Sequence, residues 1–121
     1  MNKRLIAESF SMGRFEETYS YLSDSIEWNI IGEGTITGIE SVIQKCEETS
    51  NYFKSVTTTF NVKNRIIGEH QVVINGLAVF EKKDEVSFID ACDIYTFNDN
   101  GLLQKIESYC ITIKNEAMHD K

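Results

Sequence analysis

Apolar positions along this chain recur with two periods, and the change from one to the other divides it near residue 55. Before that point helical spacing dominates; after it, alternate residues are apolar. Leu5, Ile6, Phe10 and Met12 predict a helix over residues 3–12, with Ile6 and Phe10 four apart on one side. Gly13 interrupts it. Phe15, Tyr19 and Leu22 then predict a short second helix ending near Asp24, which reads as its cap or terminator. Residues 25–31 read as a first strand, with Ile26, Trp28 and Ile30 on one face against Glu27 and Asn29. A glycine-containing turn at 32–34 and a brief strand at 35–37 follow. Residues 38–53 place Ile39, Val42, Ile43, Cys46 and Phe53 on one helical face, and Thr37 with Glu40 fits a capping box.

From residue 56 the pattern predicts only strands, at about 56–67, 71–81, 86–97 and 103–113. Asn98-Asp99-Asn100-Gly101 is turn chemistry, because Asn, Asp and Gly tolerate the positive φ that a hairpin needs. Long strands joined by short turns form an antiparallel meander. Helices early and strands late define an α+β class, with three N-terminal helices packed on one face of a strongly curved antiparallel sheet. One domain is expected over residues 1–113, and residues 114–121 are expected to fray as a polar tail.

Strand phase turns this pattern into a candidate site. Ile74, Gly76, Ala78 and Phe80 share one face of their strand, and Ala91, Asp93 and Tyr95 share one face of the next. A carboxylate among aromatic rings in a central strand is costly unless it is neutral, hydrogen-bonded or used. Gly76, Ala78 and Ala91 leave room, and Trp28, Phe53, Phe80 and Tyr95 frame it, which predicts a cavity for a small apolar molecule. Ile30, Ile74, Ser108 and Cys110 complete the expected ligand-binding wall, with Asp93 as the acid or base. The plainer alternatives are that the small residues accommodate strand curvature and that Asp93 anchors helix ends across the sheet. The opposite face carries Phe88, Cys92, Ile94, Tyr109, Ile111 and Ile113, an apolar surface that predicts a homodimer through the outer face of the sheet.

Composition narrows the partners. A length of 121 residues suits one domain. Nineteen acidic against twelve basic residues, net −7, argue against nucleic acid and anionic membranes. Lys3 and Arg4 have no apolar run behind them, so no signal peptide is read, and no segment reaches spanning length. Three cysteines without metal-type spacing point to reduced thiols and a cytoplasmic setting. His70, at a turn, and His119 are the two histidines, so neither a metal site, a cofactor nor a nucleophilic triad is expected.

Several stretches together resemble the nuclear transport factor 2-like superfamily, which includes SnoaL-like polyketide cyclases and ketosteroid isomerases. They are Gly13-Arg14-Phe15-Glu16, Leu22-Ser23-Asp24-Ser25-Ile26-Glu27-Trp28, Gly38-Ile39-Glu40-Ser41-Val42, and Asp93-Ile94-Tyr95-Thr96-Phe97 with Asn100-Gly101. The resemblance implies a cystatin-like, cone-shaped α+β roll, a pocket between helices and sheet, and frequent dimers. It places Asp93 where ketosteroid isomerases hold a protonated aspartic acid that hydrogen-bonds an oxyanion. The general base of those enzymes falls near Ile30 and their oxyanion tyrosine near Ile6. Both are aliphatic here, which argues against steroid-type isomerisation by that machinery. Arg4, Arg14 and Arg65 do not sit beside Asp93 in sequence, which argues against the Asp-Arg-Asp chemistry of limonene epoxide hydrolases. Three readings remain open: an isomerase or cyclase using Asp93 on an apolar carbonyl compound, a non-catalytic ligand-binding module, and a dimeric scaffold.

Overall fold

The structure is a computed structural model of the chain and describes residues 1–117. Helix α1 (Lys3–Ser11) starts at Asn2, whose side chain accepts from the Leu5 amide at 2.8 Å. It stops where Gly13 takes φ 83°; a Cβ there would also stand 2.9 Å from the Phe53 ring. The second helix is a 3-10 turn, Phe15–Tyr21, with Phe15 and Thr18 buried. The chain then enters β1 (Leu22–Ile30), three residues before the predicted start, so Asp24 is an exposed strand residue and not a helix cap. β2 (Gly34–Thr37) pairs with β1, and α2 (Ile39–Ser55) follows.

The expected Thr37–Glu40 capping box does not form. Gly38 is the N-cap, at φ 94°, and no side chain caps the helix. Thr37 is held in the β2 ladder opposite Glu27, and the Gly38 amide donates to Ile26 O at 2.8 Å, so strand pairing sets how the helix begins.

The remaining chain forms β3 (Thr57–Ile67), β4 (Gln71–Glu81), β5 (Glu85–Phe97) and β6 (Leu103–Ala117). The six strands make one sheet in the order β2-β1-β6-β5-β4-β3. Neighbours are antiparallel except β1 and β6, so the sheet is mixed where a wholly antiparallel one was expected. That parallel pair closes the fold, bringing the last strand back beside the first. Residues 114–117, expected to fray, belong to β6, where Lys114, Asn115 and Glu116 pair with Phe88, Ser87 and Val86. The rest of that tail, residues 118–121, lies outside the described residues.

Extra residues at Lys63, Gln104 and Ile113 interrupt the ladders and bend the long strands around the helices. The concave side carries the core: Ile6, Ala7 and Phe10 of α1 and Val42 and Cys46 of α2 pack on Ile26, Val72, Ile74, Tyr95, Leu103 and Ile106. α1 is also held from outside, because Glu8 accepts from Arg4 on its own helix and from Arg65 of β3, both at 3.0 Å. Partial burial pushes the Glu8 carboxyl up, but the hydrogen bonds and charges of Arg65 and Arg4 outweigh it and hold its pKa below the usual value. Arg65 is thereby committed to Glu8.

Candidate functional site

A cavity of about 270 Å³ opens between α1, α2 and the concave side of the sheet. β5 supplies its floor, because alternation turns Ile89, Ala91 and Asp93 inward at steps of about 6.7 Å per pair of residues. Ala78 and Phe80 of β4 and Ser108 and Cys110 of β6 continue the floor sideways, in register with Ile89, Ser87, Asp93 and Ala91. β1 adds Trp28 and Ile30, and α2 adds Phe53.

Of the sequence-predicted residues, Trp28, Ile30, Phe53, Ala78, Phe80, Ala91, Asp93, Ser108 and Cys110 border the cavity. Ile74 and Tyr95 do not. Both are fully buried in the core, one row deeper, where the helices close over the sheet. Gly76 does not make room for a ligand either. A Cβ there would stand 2.4 Å from the Phe60 ring and 2.7 Å from Asn61 O, so the bare backbone accommodates Phe60, and Phe60 lines the cavity instead. The sequence reading also missed Phe10, Ser11, Phe15, Glu33, Lys45, Thr49 and, as lining, Ile89. Phe10 and Phe15 were visible as core residues of their helices, but which core residues border a void depends on how the helices cross the sheet.

At the inner end a polar chain runs through the aromatic wall. Trp28 Nε1–H donates to Ser108 Oγ at 2.9 Å. Ser11, the last residue of α1, donates to Asp93 Oδ2 at 2.8 Å and lies 2.5 Å from the Tyr95 hydroxyl. Ser108, the cross-strand neighbour of Asp93, and Tyr95 also hydrogen-bond its carboxyl. Phe10 packs edge-on to Phe15, Trp28 and Tyr95, with ring centroids 4.9, 5.0 and 5.9 Å away.

Two effects compete at Asp93. Burial disfavours the charged form and raises its pKa; hydrogen bonds from Ser108, Ser11 and Tyr95 stabilise the carboxylate and lower it. Burial wins, so the carboxyl holds its proton to higher pH than an exposed aspartate. The Tyr95 hydroxyl is pushed well above the ordinary tyrosine value, by burial first and then by Asp93, and is a donor throughout the neutral range. Asp93 therefore both ties the end of α1 to the sheet through Ser11 and presents a carboxyl to the void.

The mouth is chemically plainer. Cys110 is exposed there, its thiol pushed up to about 11 by desolvation at the sulfur and by the charges of Asp93 and Glu33. Thr49 donates its hydroxyl to Lys45 O at 2.8 Å, leaving the methyl as its apolar contribution. Tyr19 is bonded to Glu47 and Tyr21 to the Met1 amino group, so neither serves the cavity. His70 is a surface side chain beside Glu69. Among the described residues no group of three or more His, Cys, Asp or Glu side chains is placed to hold a metal ion, and no helix is long and apolar enough to cross a membrane.

Helices laid across a curved sheet, with an apolar hollow and one buried acid between them, define a pocket-bearing α+β roll. The solved structure of an NTF2-like protein of unknown function from Cytophaga hutchinsonii ATCC 33406 superposes with TM-score 0.81 and is 36% identical, over 88% of this chain and 94% of that one. The chain belongs to the NTF2-like family. More distant matches share the fold. An LEH-like epoxide hydrolase of M. tuberculosis matches at TM-score 0.68 and 12% identity, over 89% of this chain and 81% of that one. A candidate SnoaL-like polyketide cyclase from Jannaschia sp. CCS1 matches at 0.66 and 11%, over 78% and 70%. No protein-family model and no curated protein matches the chain.

Proposed function

We propose that this protein binds a small apolar carbonyl compound in the cavity and isomerises or cyclises it by acid–base chemistry, with Asp93 as the acid. The observation that carries this reading is a carboxyl buried at the end of an aromatic hollow, its proton retained by desolvation and its position held by Ser11 and Ser108. Asp93 gives its proton to the ligand's carbonyl oxygen, while Trp28, through Ser108, keeps the carboxyl from turning. The proton the ligand releases, from its α-carbon in isomerisation or from its attacking hydroxyl in ring closure, passes to the Asp93 carboxylate. Proton donation by one placed group accounts for about 10²–10⁴-fold in rate.

Asp93→Asn keeps the shape of the side chain and removes the transferable proton. Across a panel of one- and two-ring ketones and enones, the variant is expected to retain affinity within about tenfold and lose about 10²-fold or more in turnover. Turnover that survives the substitution sinks the reading. One observation favours non-catalytic binding as the alternative: each hydroxyl around Asp93 is already hydrogen-bonded within the protein. Saturable binding without turnover in the unaltered protein would select it.

The outer face supports a homodimer as the working unit. Ile66, Ile111 and Ile113 are 62%, 64% and 57% exposed, an apolar surface that a second copy would cover. Light scattering at micromolar concentration is expected to report a dimer, and Ile111→Lys, on the face of the sheet opposite the cavity, a monomer.

A further inference from the structure

We infer that the cavity is built for a flat, one- or two-ring aromatic monocarboxylate, held with its hydrogen-bond acceptor against Asp93 and its carboxylate at Lys45. This inference rests on the pocket reading above and adds the ligand's size, shape and charge. Size follows from volume. A cavity of 150 Å³ takes benzene, so 270 Å³ takes a molecule of about ten to twelve non-hydrogen atoms, and a four-ring skeleton is roughly twice too large.

Shape follows from the walls. Phe10, Phe15, Trp28, Phe53, Phe60 and Phe80 all border the void. Phe53 lies roughly parallel to both Phe15 and Phe80, with interplanar angles of 24° and 27°. A lining so rich in aromatic rings suits a planar aromatic ligand, which meets it with little loss of its own conformational freedom.

Charge follows from the rim. Lys45 is half-buried on α2 at the mouth, the one cationic side chain among the lining residues. In a chain with an excess of acids, no described carboxylate lies within ion-pairing distance of it. A lysine so placed can lay its stem along the apolar wall and turn its ammonium to a ligand's charged end. Glu33, exposed on the β1–β2 turn, borders the same mouth and disfavours a second negative charge there. Asp93 and Ile89 mark the two ends of the β5 floor, four residues or about 13 Å apart. A ring carrying a short arm fits that length.

Calorimetry with three probes tests this. para-Coumarate and para-coumaramide have the same shape and differ in charge, and naphthol is a neutral two-ring probe of the hollow alone. The carboxylate is expected to bind about five- to tenfold tighter than the amide. Lys45→Met is expected to bring that ratio to about one, and Lys45→Arg to retain it. Equal affinity for acid and amide, or a preference that survives Lys45→Met, overturns the inference. Binding of naphthol without either coumaryl probe also overturns it while leaving the pocket reading intact; binding of none of the three overturns both.

Discussion

Asp90 and Asp93 stand three residues apart on β5 and face opposite sides of the sheet. Asp90, on the convex side, pairs with Lys63 at 2.7 Å and accepts from Asn75 at 2.9 Å; those two hydrogen bonds hold its carboxyl below the ordinary value. Asp93, on the concave side, has donors too, yet burial pushes it the other way. The residue type, strand and backbone are shared. The difference is water: an exposed carboxylate gains from its partners at little desolvation cost, whereas a buried one must first lose its hydration. One strand therefore carries a solvated, paired acid on its outer face and, on its inner face, a buried acid that holds its proton to higher pH.

The largest way to break this contrast is through two tyrosines. Tyr95 is fully buried on the concave side and Tyr109 is 39% exposed on the convex side. Tyr95→Ala should lower unfolding stability by about 3–5 kcal/mol, and more if Ser11 and Asp93 are left under-bonded. Tyr109→Ala in a monomeric background should change it by less than about 0.5 kcal/mol. Urea unfolding followed by Trp28 fluorescence measures both, and comparable losses would contradict the assignment of inside and outside.

A smaller effect separates the two acids by pH. Because the folded state raises the pKa of Asp93, its contribution to stability is fully present below the unfolded value of about 3.9 and is lost as pH rises through the folded value. Within that window the slope approaches about 1.4 kcal/mol per pH unit for the one proton involved. Asp93→Asn should flatten that part of the profile; an unchanged slope in the variant would mean the carboxyl is not desolvated. Asp90 gives the smallest effect and the opposite sign. Its pKa is lowered, so its contribution is present above about 3.9 and fades as pH falls through its folded value. Asp90→Asn should therefore be slightly less stable than the parent near neutrality and indistinguishable from it in acid.

Which residues share a strand face is a local matter, and alternation alone assigned Ala91, Asp93 and Tyr95 to one side and Cys92 and Ile94 to the other, as observed. Turn chemistry at residues 98–101 likewise marked the β5–β6 hairpin, where Gly101 takes φ 80°. Local signals failed where a partner strand was stronger. Lys114 to Glu116 look like a solvated tail until β5 lies beside them, and Thr37 looks like a helix cap until β1 claims it.

The sequence by itself determined the order of helices and strands, the inward face of each strand and the placing of an acid among aromatic rings, since all three follow from side-chain spacing along a single element. Only the tertiary structure decided that Tyr95 and Ile74 fall behind the void, that Phe60 fills the space above Gly76, and that Ser11 from a helix 82 residues away meets Asp93. Those outcomes depend on the angle at which helices cross a bent sheet, and no periodicity within one element encodes that angle.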